Sequence, residues 1–438
     1  MTAVIGLLNK KGAVVAADSA VTRSRREGKD EKSTKNGNKM LRLSDKVPGV
    51  VTSVMVTGNA CFLDHPWDVI IRHYRKLRGK TAFKTLEENI DDFISFLSKD
   101  ENIWKDGNDH KYISKTIQEI LKNIPSRVYE DAKKRNQNGE LLHPEEYENQ
   151  ILNYLIYEKY DWNEKRKGLL FEDYSIKEFI KYAEKDLEDI LDSQIYSKHD
   201  PWDKYCDAEI LKKHKESFLQ LVLYRLVAEK DLNSTLLVFT GFGKEENYPS
   251  LMVVKICGGI DRHPVYFRDA RNSVKITDDC PAAICRFAQT DIIDSILNGL
   301  SDEWMKSFKS ELAHLKWWKF VENLAQTHEA RNKLLVYGES CFDRMQEQIM
   351  RDLINLKEKN EKKWTERLKG YNLEDMAEFA LNLIHLTAFH RLLTFQHEGV
   401  GGEIDRAILT KERGFEWVHR KSWNHHQDID GKYGPLGV

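Results

Sequence analysis

The order of elements legible in this 438-residue sequence predicts a mixed α/β (α+β) chain, a four-layer α/β/β/α sandwich carrying two large helical insertions. Three observations predict it. Short apolar, partly β-branched runs cluster near the start, the middle and the end of the chain. Segments with helical spacing follow the first two clusters, suited to covering sheet faces. Two long, highly charged stretches with helical character separate the clusters. The boundaries this gives are a core in three pieces, 1–98, 234–300 and 371–423, with helical insertions at 99–233 and 301–370 and a tail at 424–438.

Each element has its own warrant. Thr2 to Leu8 and Ala13 to Ala17 are apolar runs flanking Asn9-Lys10-Lys11-Gly12, a turn signal, and so predict a hairpin. Residues 22–38 carry almost no apolar side chain and predict an exposed loop. Strands are predicted again at Lys39 to Leu43 and at Val50 to Thr57, the latter closing on Gly58. Trp67, Ile70, Ile71, Tyr74 and Leu77 then recur at helical spacing, as do Leu86, Ile90, Phe93, Ile94 and Leu97. Helical stretches at Lys177 to Leu191 and Ala208 to Leu226 lie in the first charged segment. Strands follow at Thr235 to Thr240, Leu251 to Cys257 and Pro264 to Phe267, then a helix from Ala288 to Leu300. Asn372 is placed as an N-cap with Glu374 and Asp375 in the first turn, opening a helix through Ala377, Phe379, Leu383, Leu386 and Phe389. A hairpin closes the pattern, with Glu403 to Thr410 and Phe415 to Arg420 around a turn at Lys411 to Gly414.

Composition narrows the function classes. Lys+Arg number 68 against 70 Asp+Glu, a formal net charge of -2, which excludes a bulk polycation held to nucleic acid by overall charge. No apolar run approaches the ~20 residues that span a bilayer, and no basic-then-apolar leader opens the chain, so no membrane partner and a cytoplasmic location are expected. The six cysteines, Cys61, Cys206, Cys257, Cys280, Cys285 and Cys341, are scattered without a C-x-x-C pair, as free thiols in a reducing compartment would be.

The chemistry-bearing residues gather at the N-terminus. Thr2 follows Met1, and a small second residue permits removal of that methionine. Removal would leave an α-amine, with a pKa of ~7.7–8.0, on the same residue as a hydroxyl, so nucleophile and base arrive together. Asp18 closes the second strand in Ala16-Ala17-Asp18-Ser19, where the hairpin returns it toward the chain start. Lys39 opens the third strand. A lysine pinned beside a carboxylate and a threonine hydroxyl would lower the hydroxyl's pKa electrostatically. Gly58 could offer an unobstructed N–H to an oxyanion.

In their order and surroundings these residues resemble the N-terminal-nucleophile (Ntn) hydrolases of the proteasome β-subunit type, including bacterial two-component ATP-dependent peptidases. The resemblance covers about residues 2–98, 234–300 and 371–423. It implies an Ntn αββα sandwich, threonine-peptidase activity without a cofactor or metal, and a peptide or protein substrate. It implies catalytic roles for Thr2, Asp18, Lys39 and Gly58, and a substrate-chain contact at Thr22. The turn Val400-Gly401-Gly402-Glu403 resembles the family's Gly-Gly lead into its late strands. The sequence departs from the family where an Asp and a Ser ordinarily support the nucleophile's amine, at His397 and Val400. It departs again where a Gly-Ser-Gly is usual, with Gln289 or Thr290 as the substitutes. A homo-oligomer or a regulatory protein is the expected partner. Two other readings fit the same residues: a catalytically silent scaffold that binds a partner through its helical insertions, and a small-molecule amidase.

Other candidates carry less. Adjacent His425 and His426 cannot both point comfortably at one ion from a regular strand, and no third cluster accompanies them. His199-Asp200 reads as a turn. Arg23, Arg25, Arg26 and Lys29 are interrupted by Glu27, Asp30 and Glu31, the mark of a solvated loop rather than a nucleic-acid patch. Trp304, Trp317 and Trp318 sit at helical spacing and read as core. Gly258-Gly259 lacks the further glycine and lysine of a phosphate-cradling loop.

Overall fold

A computed structural model of the chain describes residues 3–23, 32–34, 37–105, 107–135, 144–165, 174–193, 208–228, 234–288, 290–299, 302–314, 328–393 and 401–421. The chain opens with β1 (Ala3–Asn9) and β2 (Gly12–Asp18), each buried along its whole length. Burial on both faces is why these strands read as continuous apolar runs rather than alternating ones. Their turn is fixed by the Lys11 N–H donating to Asn9 Oδ1 at 2.9 Å. A Cβ at Gly12 would stand 2.6 Å from the Leu409 carbonyl oxygen, so only glycine admits that strand so close.

Short ribbon strands β3 (Val21–Arg23) and β4 (Lys32–Thr34) come next, then β5 (Met40–Arg42), β6 (Val51–Gly58), β7 (Cys61–Phe62) and β8 (His65–Pro66). Two helices follow, α1 (Trp67–Arg78) and α2 (Leu86–Lys99), the second capped by Thr85 accepting from the Glu88 N–H. The first charged segment holds α3 (Glu101–Trp104), α4 (Asn108–Arg135), α5 (Pro144–Lys165), α6 (Ile176–Asp192), α7 (Ala208–Lys213) and α8 (Lys215–Leu226). Ser175 and Glu178 close a reciprocal capping box at the start of α6. Strands return as β9 (Thr235–Phe242), β10 (Ser250–Ile260), β11 (His263–Arg268), β12 (Val274–Lys275) and β13 (Ala282–Ala288). Helices α9 (Asp291–Asn298), α10 (Asp302–His314), α11 (His328–Gly370) and α12 (Leu373–Leu393) precede the closing hairpin of β14 (Ile404–Thr410) and β15 (Gly414–His419).

The strands form two main antiparallel sheets. The first has the order β13-β1-β2-β14-β15; the second has β11-β10-β9-β6-β5, with β12 also paired to β10. The two-residue period of a strand sends alternate side chains to opposite faces. Val4, Leu8, Ala13, Val15 and Ala17 of the first sheet accordingly pack with Met55, Val238 and Val253 of the second, an apolar layer between sheets. Ile5, Leu7, Val14 and Ala16 point the other way, onto Met376, Ala380 and Ile384 of α12 and Ile293 and Leu297 of α9. The outer face of the second sheet, through Val54, Leu237, Phe239 and Ile256, is covered by Ile71 and Tyr74 of α1 and by Ile90 and Phe93 of α2. A separate cluster joins Ile117, Leu155, Phe179, Phe218 and Leu223 of α4, α5, α6 and α8 to Cys257, Ile260, Val265 and Phe267 of β10 and β11.

Several expectations need correction. The polar stretch 22–38 contains β3 and β4, paired Val21 to Thr34 and Thr22 to Ser33. The helix expected from Ala288 begins only at Asp291, and Ala288 instead ends β13, which pairs in register with the whole of β1. Ala208 to Leu226 is two helices, divided at His214. The helices through Leu77 and through Leu386 and Phe389 form, with these three side chains outward at 59%, 46% and 59% exposure; α1 buries Trp67, Ile70, Ile71 and Tyr74, and α12 buries Met376, Ala377, Ala380, Leu383, Ile384 and Thr387. Trp304 is half exposed and stacks on Phe308 at 5.0 Å instead of entering the core. Asn372 caps α12 through Oδ1, which accepts from the Asp375 N–H at 2.6 Å.

Gly258 and Gly259 serve docking of the helical segment. A Cβ at Gly258 would lie 2.6 Å from the Tyr112 ring, and one at Gly259 2.6 Å from Trp104. We expect Gly259→Val to destabilise the chain by about 1–3 kcal/mol through overpacking, read as a lower urea midpoint. An unchanged midpoint would mean that Trp104 does not press on β10.

Candidate active site

The site forms where β2 ends. Strand β2 lies between β1 and β14, so the Asp18 side chain is held among backbone amides and has no exposed surface. Asp18 Oδ1 accepts from the Ala3 N–H at 2.9 Å and from Lys39 Nζ at 2.7 Å. Asp18 Oδ2 accepts from the Gly401 N–H at 3.1 Å and the Ala20 N–H at 3.3 Å. A carboxylate removed from water needs such a set, since an unpaired buried charge costs several kcal/mol.

Lys39 reaches this point from the second sheet. Its carbonyl accepts from the Val56 N–H at 2.8 Å, fixing it beside β6 just ahead of β5. The side chain is 9% exposed. Burial pushes the Lys39 ammonium below the ordinary lysine range, and the Asp18 charge and hydrogen bond oppose that shift without cancelling it. Gly58 stands two residues beyond Val56 at the end of β6, with φ at +90°. A Cβ there would come 2.3 Å from the Ser234 carbonyl oxygen, so both conformation and space require glycine.

The structure thus brings Asp18 and Lys39 together and sets Gly58 on the strand that holds Lys39. Thr2 lies outside the described residues, but the peptide nitrogen bonded to it, that of Ala3, is anchored on Asp18. Thr22 is placed only by its register opposite Ser33, its side chain being outside the described set. Gln289, His397, Val400, His199-Asp200, Trp317, Trp318, His425 and His426 likewise lie outside it. Thr290 occupies the N-cap position of α9 without a capping side-chain hydrogen bond.

Sequence reasoning missed a second buried pair. Asp405 of β14 and Lys421 just past β15 are 5% and 8% exposed in their side chains. The Lys421 N–H donates to Asp405 Oδ1 at 2.8 Å, and Lys421 Nζ donates to the Gly37 carbonyl. Burial raises the Asp405 carboxyl and lowers the Lys421 ammonium from their usual ranges. The available signal was alternation along β14, where Asp405 shares parity with the inward Ala407 and Leu409. The Ser19 hydroxyl is also buried, with no partner among the described residues. Among those residues no group of three or more His, Cys, Asp or Glu could hold a metal ion, and no helix is long and apolar enough to cross a membrane.

No protein-family model matches the chain, and no curated protein matches it. Among solved structures, the chain is similar to an Anbu (Gly-1) mutant from Hyphomicrobium sp. strain MC1. The identity is 10% and the TM-score 0.27, over 96% of this chain and 86% of that one. A likeness that slight decides neither fold nor function.

Replacing Asp18 by Ala leaves the Lys39 ammonium buried and unpaired. We expect a loss of about 3–5 kcal/mol in urea unfolding, and recovery of most of it in Asp18→Ala/Lys39→Met, which removes both charges. Additive losses in the double variant would contradict a coupled pair.

Proposed function

We propose that the chain is a proteasome-like Ntn hydrolase, a threonine peptidase that uses Thr2 once Met1 has been removed. The observation that carries this reading is the buried Asp18 carboxylate, which holds both the Lys39 ammonium at 2.7 Å and the peptide nitrogen that follows residue 2 at 2.9 Å. The Ala3 N–H and the Lys39 ammonium share one carboxylate oxygen, so a fixed positive charge stands beside the start of β1, which is what activating an otherwise weak nucleophile there requires. The stacking of helices, sheet, sheet and helices agrees with the αββα order of the family.

In this mechanism the α-amine of Thr2 takes the proton from its own Oγ, which attacks the amide carbonyl. Lys39 stabilises the developing alkoxide, Asp18 orients Lys39, and the Gly58 N–H donates to the oxyanion. Collapse of the tetrahedral adduct breaks the C–N bond, and the leaving amine receives the proton from the α-ammonium. Water then attacks the acyl ester, the α-amine again acting as base, and releases the acid and free Thr2. Each role is filled by the chain itself.

The helical segments are assigned to access or assembly, in a cytoplasmic enzyme that works as a homo-oligomer or with a regulatory partner. Register supports a role in access for the first of them. Gly58 pairs with Thr235, and Thr235 with Ile256, so this row of three strands spans about 10 Å. Tyr112 of α4 donates to the Cys257 carbonyl at 3.1 Å, immediately beside that row.

The deciding experiment pairs intact mass with peptide hydrolysis. Protein whose mass shows Thr2 at its terminus is expected to cleave peptides, and Thr2→Ala is expected to fold and lose at least a hundredfold in kcat. Equal activity in that variant would reject the threonine mechanism; retention of Met1 with no hydrolysis would favour a silent scaffold. The pH–rate profile should rise as the α-amine deprotonates near ~7.7–8.0 and fall again below the ordinary lysine value, because burial lowers Lys39 and only its charged form acts.

A further inference from the structure

The Asp405–Lys421 pair has no part in the mechanism above, yet its contacts lead to Lys39. Lys421 Nζ donates to the Gly37 carbonyl, two residues before Lys39. The Gly37 N–H donates to the Ser19 carbonyl at 3.0 Å, next to Asp18. Segment 37–39 is therefore held at one end by Lys421 and Ser19, and at the other by the Lys39 carbonyl's bond to Val56 at 2.8 Å. The Lys421 side chain is itself restrained, since its backbone N–H sits on Asp405 Oδ1 at 2.8 Å and its Nζ lies 4.0 Å from Asp405 Oδ2.

We propose that Lys421, steadied by Asp405, is a positioning residue for Lys39: it pins the backbone that delivers the Lys39 side chain to Asp18, and its positive charge acts on Lys39. The proposal rests on the threonine-hydrolase reading for its effect on rate, but not for its effect on Lys39 itself. The charged groups facing Lys421 are Asp405 in β14, Glu403 beside it, Asp18 at the end of β2, Arg420 on its own segment and Lys39. His419 faces Asp405. Like charges disfavour one another's protonated forms, so Lys421 lowers Lys39 in addition to the larger effect of burial. Removing the Lys421 charge must therefore raise the pH at which Lys39 titrates.

Two readouts test this on the full chain. The Lys39 midpoint is followed by NMR of protein carrying 13C at lysine Cε, with the Lys39 signal assigned by its loss in Lys39→Met. The kinetic constants are measured on the same peptide as the wild type. In Lys421→Met we expect the Lys39 midpoint to move to higher pH and the alkaline limb of the rate profile to move with it. We expect kcat to fall by up to about 10²-fold, the effect of ångström-scale misplacement, with KM within twofold. Lys421→Arg, which keeps charge and donor, should restore the midpoint and most of kcat. If Lys421→Met does not fold, Lys421→Gln reads the same charge effect while retaining a donor for Gly37. A midpoint that stays put in a folded neutral variant overturns the proposal. A chain that hydrolyses no peptide defeats the threonine reading, while the midpoint still decides the coupling of Lys421 to Lys39.

Discussion

A carboxylate with no exposed surface must find its partners inside the protein, and the segments around Asp18 meet because each supplies one. The start of β1 brings the Ala3 N–H, the chain after β2 brings Ala20, the second sheet brings Lys39, and the approach to β14 brings Gly401. Leaving any of these out would strand part of a charge whose desolvation costs several kcal/mol. The apolar layer between the sheets supplies most of the cohesion but little directional choice, since hydrophobic burial is non-directional. The polar contacts of Asp18 supply that choice. They fix how far the second sheet slides over the first, because Lys39 must end within hydrogen-bond reach.

What the sequence made legible follows from locality. The β1–β2 hairpin, the capped start of α12 and the apolar stripe of α2 each depend on residues within a few positions of one another. Asp18 and Lys39 were legible through resemblance and Gly58 through its place at a strand end. The residues that were not legible owe their positions to distant partners. Strand β13 has the composition of a short buried run and was masked by the helix that follows three residues later; only its pairing with β1 makes it a strand. The ribbon of β3 and β4 is polar and has no hydrophobic alternation to announce it. Helix α12 is apolar around much of its circumference, so the sequence does not say which side packs, and Leu386 and Phe389 prove to lie on the exposed one. Lys421 follows an ordinary edge strand, and its closeness to Gly37 is a contact across 384 positions.

The two helical segments are keyed to the sheets by polar seams. Asp109 of α4 accepts from the Tyr182 hydroxyl at 2.6 Å and from the Asp261 N–H at 3.0 Å, tying α4 and α6 to the β10–β11 turn. Helix α11 is tied at its C-terminal end. Asn9 Nδ2 donates to the Leu368 carbonyl at 3.1 Å, and Arg286 binds Glu361 at 3.1 Å. Asn9 is at the turn of the first hairpin and Asp18 at its open end, so the Leu368 end of α11 meets the sheet about 20 Å from the charged pair, the length of a seven-residue strand, while Glu361 meets it at Arg286, opposite Ile5 and two residues past Ala3. One helical segment thus meets the second sheet at the β10–β11 turn, and the other lies along the first sheet from the turn of its hairpin to Arg286 of β13.

The sheet order also sets a timetable for synthesis. Strand β2 pairs with β14 on one side, and the Gly401 N–H that completes the Asp18 shell lies 383 residues further along the chain. At a translation rate of about 5–20 residues per second, roughly 20–80 s separate the emergence of that carboxylate from that of its last donor. Through that interval the first hairpin carries an aspartate whose surroundings are unfinished and a β2 edge without its β14 partner. Until the C-terminal hairpin arrives, that open edge is a template on which the strand of a neighbouring chain could pair in place of β14.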